Sequence, residues 1–224
     1  MKTKAVIFDI DGTLVTTNKS YRVAVVRNTL HELGIGHRIA DLDGFWFGRY
    51  CSHDIEDMLQ IDADKFWETF TKHDSIKKRM EMTVPFSDIG ALDFLVNDGI
   101  KMGAVSDALS HVAYGNLEKI GLGYFSSVVI TNKKEGLPAK PDPLGLLLCL
   151  EELGVKPNEA IYVGNSSGDI LTGRNAGVHD VIVQRREYPL SLTPSFSINS
   201  LYELTSVVHG ASTDYKFQSL GGIA

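Results

Sequence analysis

Cysteine is nearly absent from this 224-residue chain: Cys51 and Cys149 lie far apart, without CxxC spacing. That pattern argues against a disulfide framework or a cysteine-based zinc site, and it fits a reducing cytoplasm. Basic charge is also outnumbered, with 22 Lys and Arg against 28 Asp and Glu and a net charge of −6. A broad electrostatic footprint for nucleic acid or anionic membrane needs the opposite balance, so neither partner is expected. No run reaches the ~18 uninterrupted apolar residues of a membrane-spanning helix. The first residues pass directly into a strand-like segment, with no apolar stretch of the ~7–15 residues a signal peptide carries. Fixed-period repeats and low-complexity tracts are missing as well. The expectation is a cytoplasmic protein, monomeric or homodimeric, with enough chain for one core or a core with an insertion.

What is present is an alternation of short apolar runs and helical patterns. Residues 4–9 read as a strand, and Lys101–Val105, Val128–Ile130, Ala160–Val163 and Asp180–Val183 as four more. Helices are predicted near 88–98, 108–120 (closed by Gly121), 143–153, 169–176 and 199–208. Strands alternating with helices predict an α/β fold, a doubly wound parallel sheet covered on both faces. Between 16 and 84 the pattern is mainly helical: Val23, Val26, Leu30 and Leu33 recur at helical spacing up to Gly34, and helices are expected over 53–60 and 63–82. The core is therefore assigned to 1–15 and 85–210, an inserted helical block to 16–84, and a polar tail to 211–224.

The densest chemical signal is Phe8-Asp9-Ile10-Asp11-Gly12-Thr13-Leu14, directly after Ala5-Val6-Ile7. Two carboxylates two positions apart lean toward the same mouth at the end of a strand. Such a spot can hold a metal ion and present a nucleophilic oxygen at the carboxyl edge of a sheet. Three further polar groups sit at or beside other strand ends: Ser106-Asp107, Lys140 before Pro141, and Asn165 to Asp169. Each also has a plainer reading. Asp-Gly is a common turn pair, Ser106 and Asp107 suit a helix cap, and Lys140 suits a solvated loop.

In their order along residues 4–209, these motifs resemble the haloacid dehalogenase superfamily, most of whose members are phosphatases. The layout is similar to that of phosphoglycolate phosphatases with a small helical cap over the site. The resemblance implies that Asp9 is the nucleophile forming an aspartyl-phosphate, and that Asp11 is the general acid and later base. Lys140 is then catalytic beside the phosphate, while Thr13 orders the loop and Ser106 binds phosphate; Asp107, at the phosphate-binding position where an amide is common, either caps the helix or repels phosphate and narrows the substrate range. It further implies a Mg2+ cofactor held by Asp9, Asp11 (through its carbonyl), Asn165 and Asp169, and a small phosphorylated metabolite as substrate. The fourth motif departs from the family pattern. Residues 164–169 read Gly-Asn-Ser-Ser-Gly-Asp, so Asn165 stands where an acid is usual and one negative charge is gone. True dehalogenases of the superfamily also carry Asn there, but Asp11 favours oxygen leaving groups, since a halide needs no proton. A sugar-phosphate mutase or a weakly active binding protein would share the same core. In the helical block, Phe45-Trp46-Phe47-Gly48-Arg49-Tyr50 either fills the interior of that block or offers Arg49 to an anionic substrate group.

Overall fold

Ala5–Phe8 (β1) runs through the middle of a six-stranded sheet, in a computed structural model describing residues 3–35, 41–47, 50, 52–185 and 190–210. The other strands are Lys101–Ser106 (β4), Ser127–Ile130 (β5), Ala160–Gly164 (β6), His179–Val183 (β7) and Phe196–Ile198 (β8). Their order is β5-β4-β1-β6-β7-β8, and every pairing is parallel. Phe8 is in register with Ala104 on one side and Val163 on the other, so Asp9 emerges at the carboxyl edge between two neighbours. The chain leaves β1 to build one half of the sheet and then crosses to build the other. A crevice therefore opens beyond the end of β1, where such folds bind ligands.

Both faces of the sheet are covered, which explains why its strands read as continuous apolar runs. Val6 and Phe8 face Leu92 and Leu95 of Ala91–Asn97 (α6) and Leu204 and Val208 of Leu204–Gly210 (α10). Ala5 and Ile7 face Leu146, Cys149 and Leu150 of Leu144–Leu153 (α8) on the other side. Ser110–Ile120 (α7) and Ser167–Asn175 (α9) complete the layers. Cys149 is buried against Gly103, and burial pushes its thiol up to about 11, which leaves it an inert core residue.

Two three-residue strands lie outside this sheet. Val15–Thr17 (β2) pairs antiparallel with Thr83–Pro85 (β3), and the Thr17 and Thr83 hydroxyls meet at 2.7 Å. Among the described residues, five further α-helices lie between them: Lys19–Glu32 (α1), Leu42–Trp46 (α2), Ser52–Leu59 (α3), Ala63–His73 (α4) and Ile76–Met82 (α5). The single helix expected over 63–82 is two, because Ser75 turns extended and begins α5 as its N-cap. The first four of these helices share an apolar cluster that includes Tyr21, Val26, Phe45, Phe66 and Phe70, with Trp46 partly buried against it, while α5 adds no residue to it. Phe45, Trp46 and Tyr50 of the aromatic segment thus pack in the interior of the helical block. Arg49 and the tail from 211 lie outside the described residues. Among the described residues no helix is long and apolar enough to cross a membrane.

A buried ion pair braces the loop after β1 from behind. Arg185, just past β7, donates to both carboxyl oxygens of Asp88 at 2.9 and 3.0 Å and to the carbonyl of Thr13 at 2.8 Å, with its guanidinium over the Phe86 ring. Asp88 also accepts from the Leu201 N–H and the Ser200 hydroxyl. Burial works to raise the Asp88 carboxyl, but the bonds from Arg185, Leu201 and Ser200 outweigh it and hold the group below its usual value of 3.8. A lowered carboxyl contributes stability above its unfolded pKa and loses it as pH falls through the folded one. Asp88→Asn, which strands a buried guanidinium, is expected to cost about 3 kcal/mol at pH 7. Urea unfolding at several pH values checks this: the gap between wild type and variant should close below pH 3.8.

Candidate active site

Gly12, at φ +82°, turns the chain sharply after β1, and the Asp9 N–H is tied to the carbonyl of Val163. Asp9 is buried. Its Oδ1 accepts from Lys140 Nζ at 2.6 Å and its Oδ2 from the Thr13 hydroxyl at 2.8 Å. Lys140 arrives from the loop between β5 and α8, and its ammonium also donates to Asp169 Oδ1 at 2.8 Å. Thr13 Oγ1 lies 3.4 Å from Asn165 Oδ1, so Asp9 and Asn165 flank one hydroxyl. The loops after β1, β5 and β6 therefore meet at a single point.

Asp169 differs from its expected role. Its Oδ1 takes Lys140 and the Tyr162 hydroxyl at 3.1 Å, and its Oδ2 takes the Asn165 and Ser166 N–H groups and the Ser166 hydroxyl. Five donors leave this carboxylate no ready lone pair for a metal. Gly164 makes the arrangement possible, since a Cβ there would run into the Asp169 carboxyl. Burial acts to raise Asp169, but Lys140 and Ser166 more than reverse it, so its carboxyl sits below the usual range. Asp9 moves the other way: burial raises it, Lys140 pulling against that rise and Asp169 adding to it. Lys140 is disfavoured as a cation by burial, yet Asp169 and Asp9 outweigh this and hold it firmly charged.

Asp11 belongs to a different environment. It is half-buried, accepts from Asn116 Nδ2 of α7 at 3.1 Å, and has Arg79 of α5 at 3.9 Å. Ser106 is buried at the end of β4, and its hydroxyl accepts from the Ala108 N–H at 3.2 Å. Asp107 does not cap the helix, which starts at Ser110 after an N-cap Leu109. Instead its Oδ1 accepts from the Thr131 hydroxyl at 2.6 Å and the Lys140 backbone N–H at 3.1 Å. It holds the lysine loop in place. Tyr162, Asn116 and Arg79 are site residues the motifs did not reveal. Asn116 left a trace in the sequence, a polar residue on the same helical stripe as Val112, Ala113 and Leu117.

The donors present match a hard divalent cation only in part. Asp9 and Asn165 offer oxygens of the type magnesium prefers, side by side across Thr13. Asp169 is otherwise engaged, and among the described residues no three His, Cys, Asp or Glu side chains form a metal cluster by themselves. The expected set thus shrinks to Asp9, Asn165 and the carbonyl of Asp11, with one formal charge.

Residues 6–183 match the family model described as haloacid dehalogenase-like hydrolase. The pyrophosphatase PpaX of Bacillus velezensis is 30% identical over 185 residues, which covers 77% of this chain and 79% of that protein. A phosphoglycolate phosphatase of Aquifex aeolicus is 27% identical over 208 residues, 92% of this chain and 96% of its own length. The crystal structure of a HAD phosphatase from Thermococcus onnurineus superposes with a TM-score of 0.67 at 26% identity, covering 93% of this chain and 99% of that one.

Proposed function

This chain belongs to the haloacid dehalogenase-like hydrolases, and on that footing we propose that it is a magnesium-dependent phosphatase of a small phosphorylated metabolite. The observation that carries the reading is the division of labour between two carboxylates two residues apart. Asp9 is buried on an ammonium 131 positions away, while Asp11 sits half-open beside an amide and a guanidinium. Paired acids in separate environments are what acid–base chemistry on an oxygen leaving group needs, and halide displacement has no use for the second.

In this mechanism an Asp9 oxygen attacks phosphorus, the bond from phosphorus to the leaving oxygen breaks, and Asp11 gives that oxygen its proton. Water then attacks the phosphoryl group on Asp9; Asp11 takes the water's proton, and the Asp9 carboxylate is released with inorganic phosphate. Thr13 orients Asp9, and Lys140 offsets negative charge beside the phosphoryl oxygens. Ser106 and the N–H groups that follow it receive those oxygens. Asp169, locked by Tyr162 and Ser166, holds Lys140 on target. A magnesium ion held by Asp9, Asn165 and the carbonyl of Asp11 would supply further positive charge at the phosphate. Residues 16–84 act as a cap that excludes water, with β2 and β3 as its paired connections to the core.

The test is phosphate release from a panel of small phosphate esters and pyrophosphate, with magnesium and with a chelator. Turnover of at least one compound, lost on chelation and restored by magnesium, is the expected result. Chloride release from a 2-haloacid without any phosphate release would make the chain a dehalogenase. Turnover of neither class would leave a binding protein.

A further inference from the structure

Arg79 stands where the departing half of a substrate has to be. If Asp11 protonates the leaving oxygen, as the proposed function requires, whatever lies against the Asp11 carboxyl also lies against the leaving group. On the helical side that neighbour is Arg79, with Nη2 3.9 Å from Asp11 Oδ1, an ion-pair separation longer than a hydrogen bond. The arginine is firmly placed. Its Nη1 donates to Asp74 at 2.9 Å, and its guanidinium lies 4.5 Å over the Trp46 ring. Asp74 is itself fixed by the Tyr21 hydroxyl at 3.0 Å. The end of α5 is also tied to the α/β body, since Lys119 of α7 donates to the carbonyls of Met80 and Thr83. Arg79 therefore keeps its position relative to α7 and Asn116, both of which border Asp11.

The polar bookkeeping around Asp11 is incomplete. Two buried side-chain polar atoms among the described residues have no hydrogen-bond partner, and these are Arg79 Nε and Asn116 Oδ1. Both belong to residues that contact Asp11. Unsatisfied buried groups are few in folded proteins, and both of these belong to side chains that border the same carboxyl. Arg79 Nη2 faces the Asp11 carboxyl without a hydrogen bond to it, and a guanidinium is suited to a planar or tetrahedral anion.

We infer that Arg79 selects the leaving group, by binding an anionic substituent carried next to the oxygen that Asp11 protonates. The substrate class that follows is phosphate compounds whose leaving group is itself an anion, either a short carboxylate or a second phosphate. Pyrophosphate and 2-phosphoglycolate both have this character, which fits the names of the relatives from Bacillus velezensis and Aquifex aeolicus. The inference rests on the phosphatase reading and deepens it.

The test compares 2-phosphoglycolate with ethyl phosphate, which differs in having a methyl group where the first has a carboxylate. kcat/KM is measured for both substrates with wild type, Arg79→Lys and Arg79→Ala, with thermal melts to verify folding. Wild type should prefer the carboxylate compound. Arg79→Ala should lower the preference ratio about 50-fold, the scale of a lost charge-assisted hydrogen bond, and Arg79→Lys should lower it less. A ratio that stays constant, whether both rates fall together or neither falls, overturns the inference while leaving a phosphatase. Wild type that releases phosphate from other esters of the panel but from neither 2-phosphoglycolate nor pyrophosphate also overturns the inference, and release from no member of the panel overturns the phosphatase reading itself.

Discussion

Asp9→Asn should reduce phosphate release by about 10^4-fold or more, because an amide oxygen cannot serve as the nucleophile that a carboxylate is. The variant is isosteric, so the geometry indicates how the site accommodates it. Lys140 only donates, and the amide oxygen will therefore face its ammonium. The amide N–H2 then faces Thr13, whose hydroxyl can rotate to accept from it and donate toward Asn165 Oδ1 at 3.4 Å. Lys140 keeps Asp169 as counter-ion at 2.8 Å. Removing a buried charge offsets the lost ion pair, so stability should stay within about 1 kcal/mol of wild type. Phosphate-release kinetics and a urea melt on the same sample check both halves. Wild-type rates from a folded variant would move the nucleophile elsewhere, and an unfolded variant would make Asp9 structural. A second signature is available in mass spectrometry, where a transient gain of one phosphoryl group on wild type should be missing from Asp9→Asn.

Much of this site was readable because it lies where buried strands end. β1, β4, β5, β6 and β7 stand out as apolar runs, and polar residues just after such runs collect at one edge by topology alone. Other features escaped for physical reasons. β2 and β3 are three residues each and pair across the whole helical block, so neither shows a local period. β8 is equally short and lies at the sheet edge. The division between α4 and α5 depends on one N-cap, Ser75, inside a pattern that otherwise continues as helix. Asp107 reads as a cap or a phosphate contact, yet it secures Thr131 and Lys140, a role set by loops distant in sequence. Arg79, Tyr162 and Arg185 are hidden in the same way. Each acts through a partner that only tertiary structure brings near, and a lone arginine on a polar helix looks like solvated surface.

Asn165→Asp is expected to tighten magnesium binding by about 10- to 100-fold, since ligand charge sets the affinity of an oxygen site for this ion. Asn165 is nearly buried beside Asp9, and Asp169 cannot compensate because five donors occupy its carboxylate. The native set therefore brings one formal charge, from Asp9, to a doubly charged ion. A second carboxylate at position 165 would double it. Without metal the same substitution sets two carboxylates on either side of the Thr13 hydroxyl, with Lys140 already shared between Asp9 and Asp169. Like charges in a buried space repel, so the metal-free variant should melt below wild type. Added magnesium should reverse that order, because an ion that binds only the folded state stabilises it in proportion to its affinity. Titration calorimetry gives the affinity directly, and melts with chelator or with magnesium give the crossing, neither of which depends on turnover. Equal affinities and parallel melts would place the Asn165 side chain off the metal, and the loss of an acid at this position would then have to be explained by its contact with Thr13 alone.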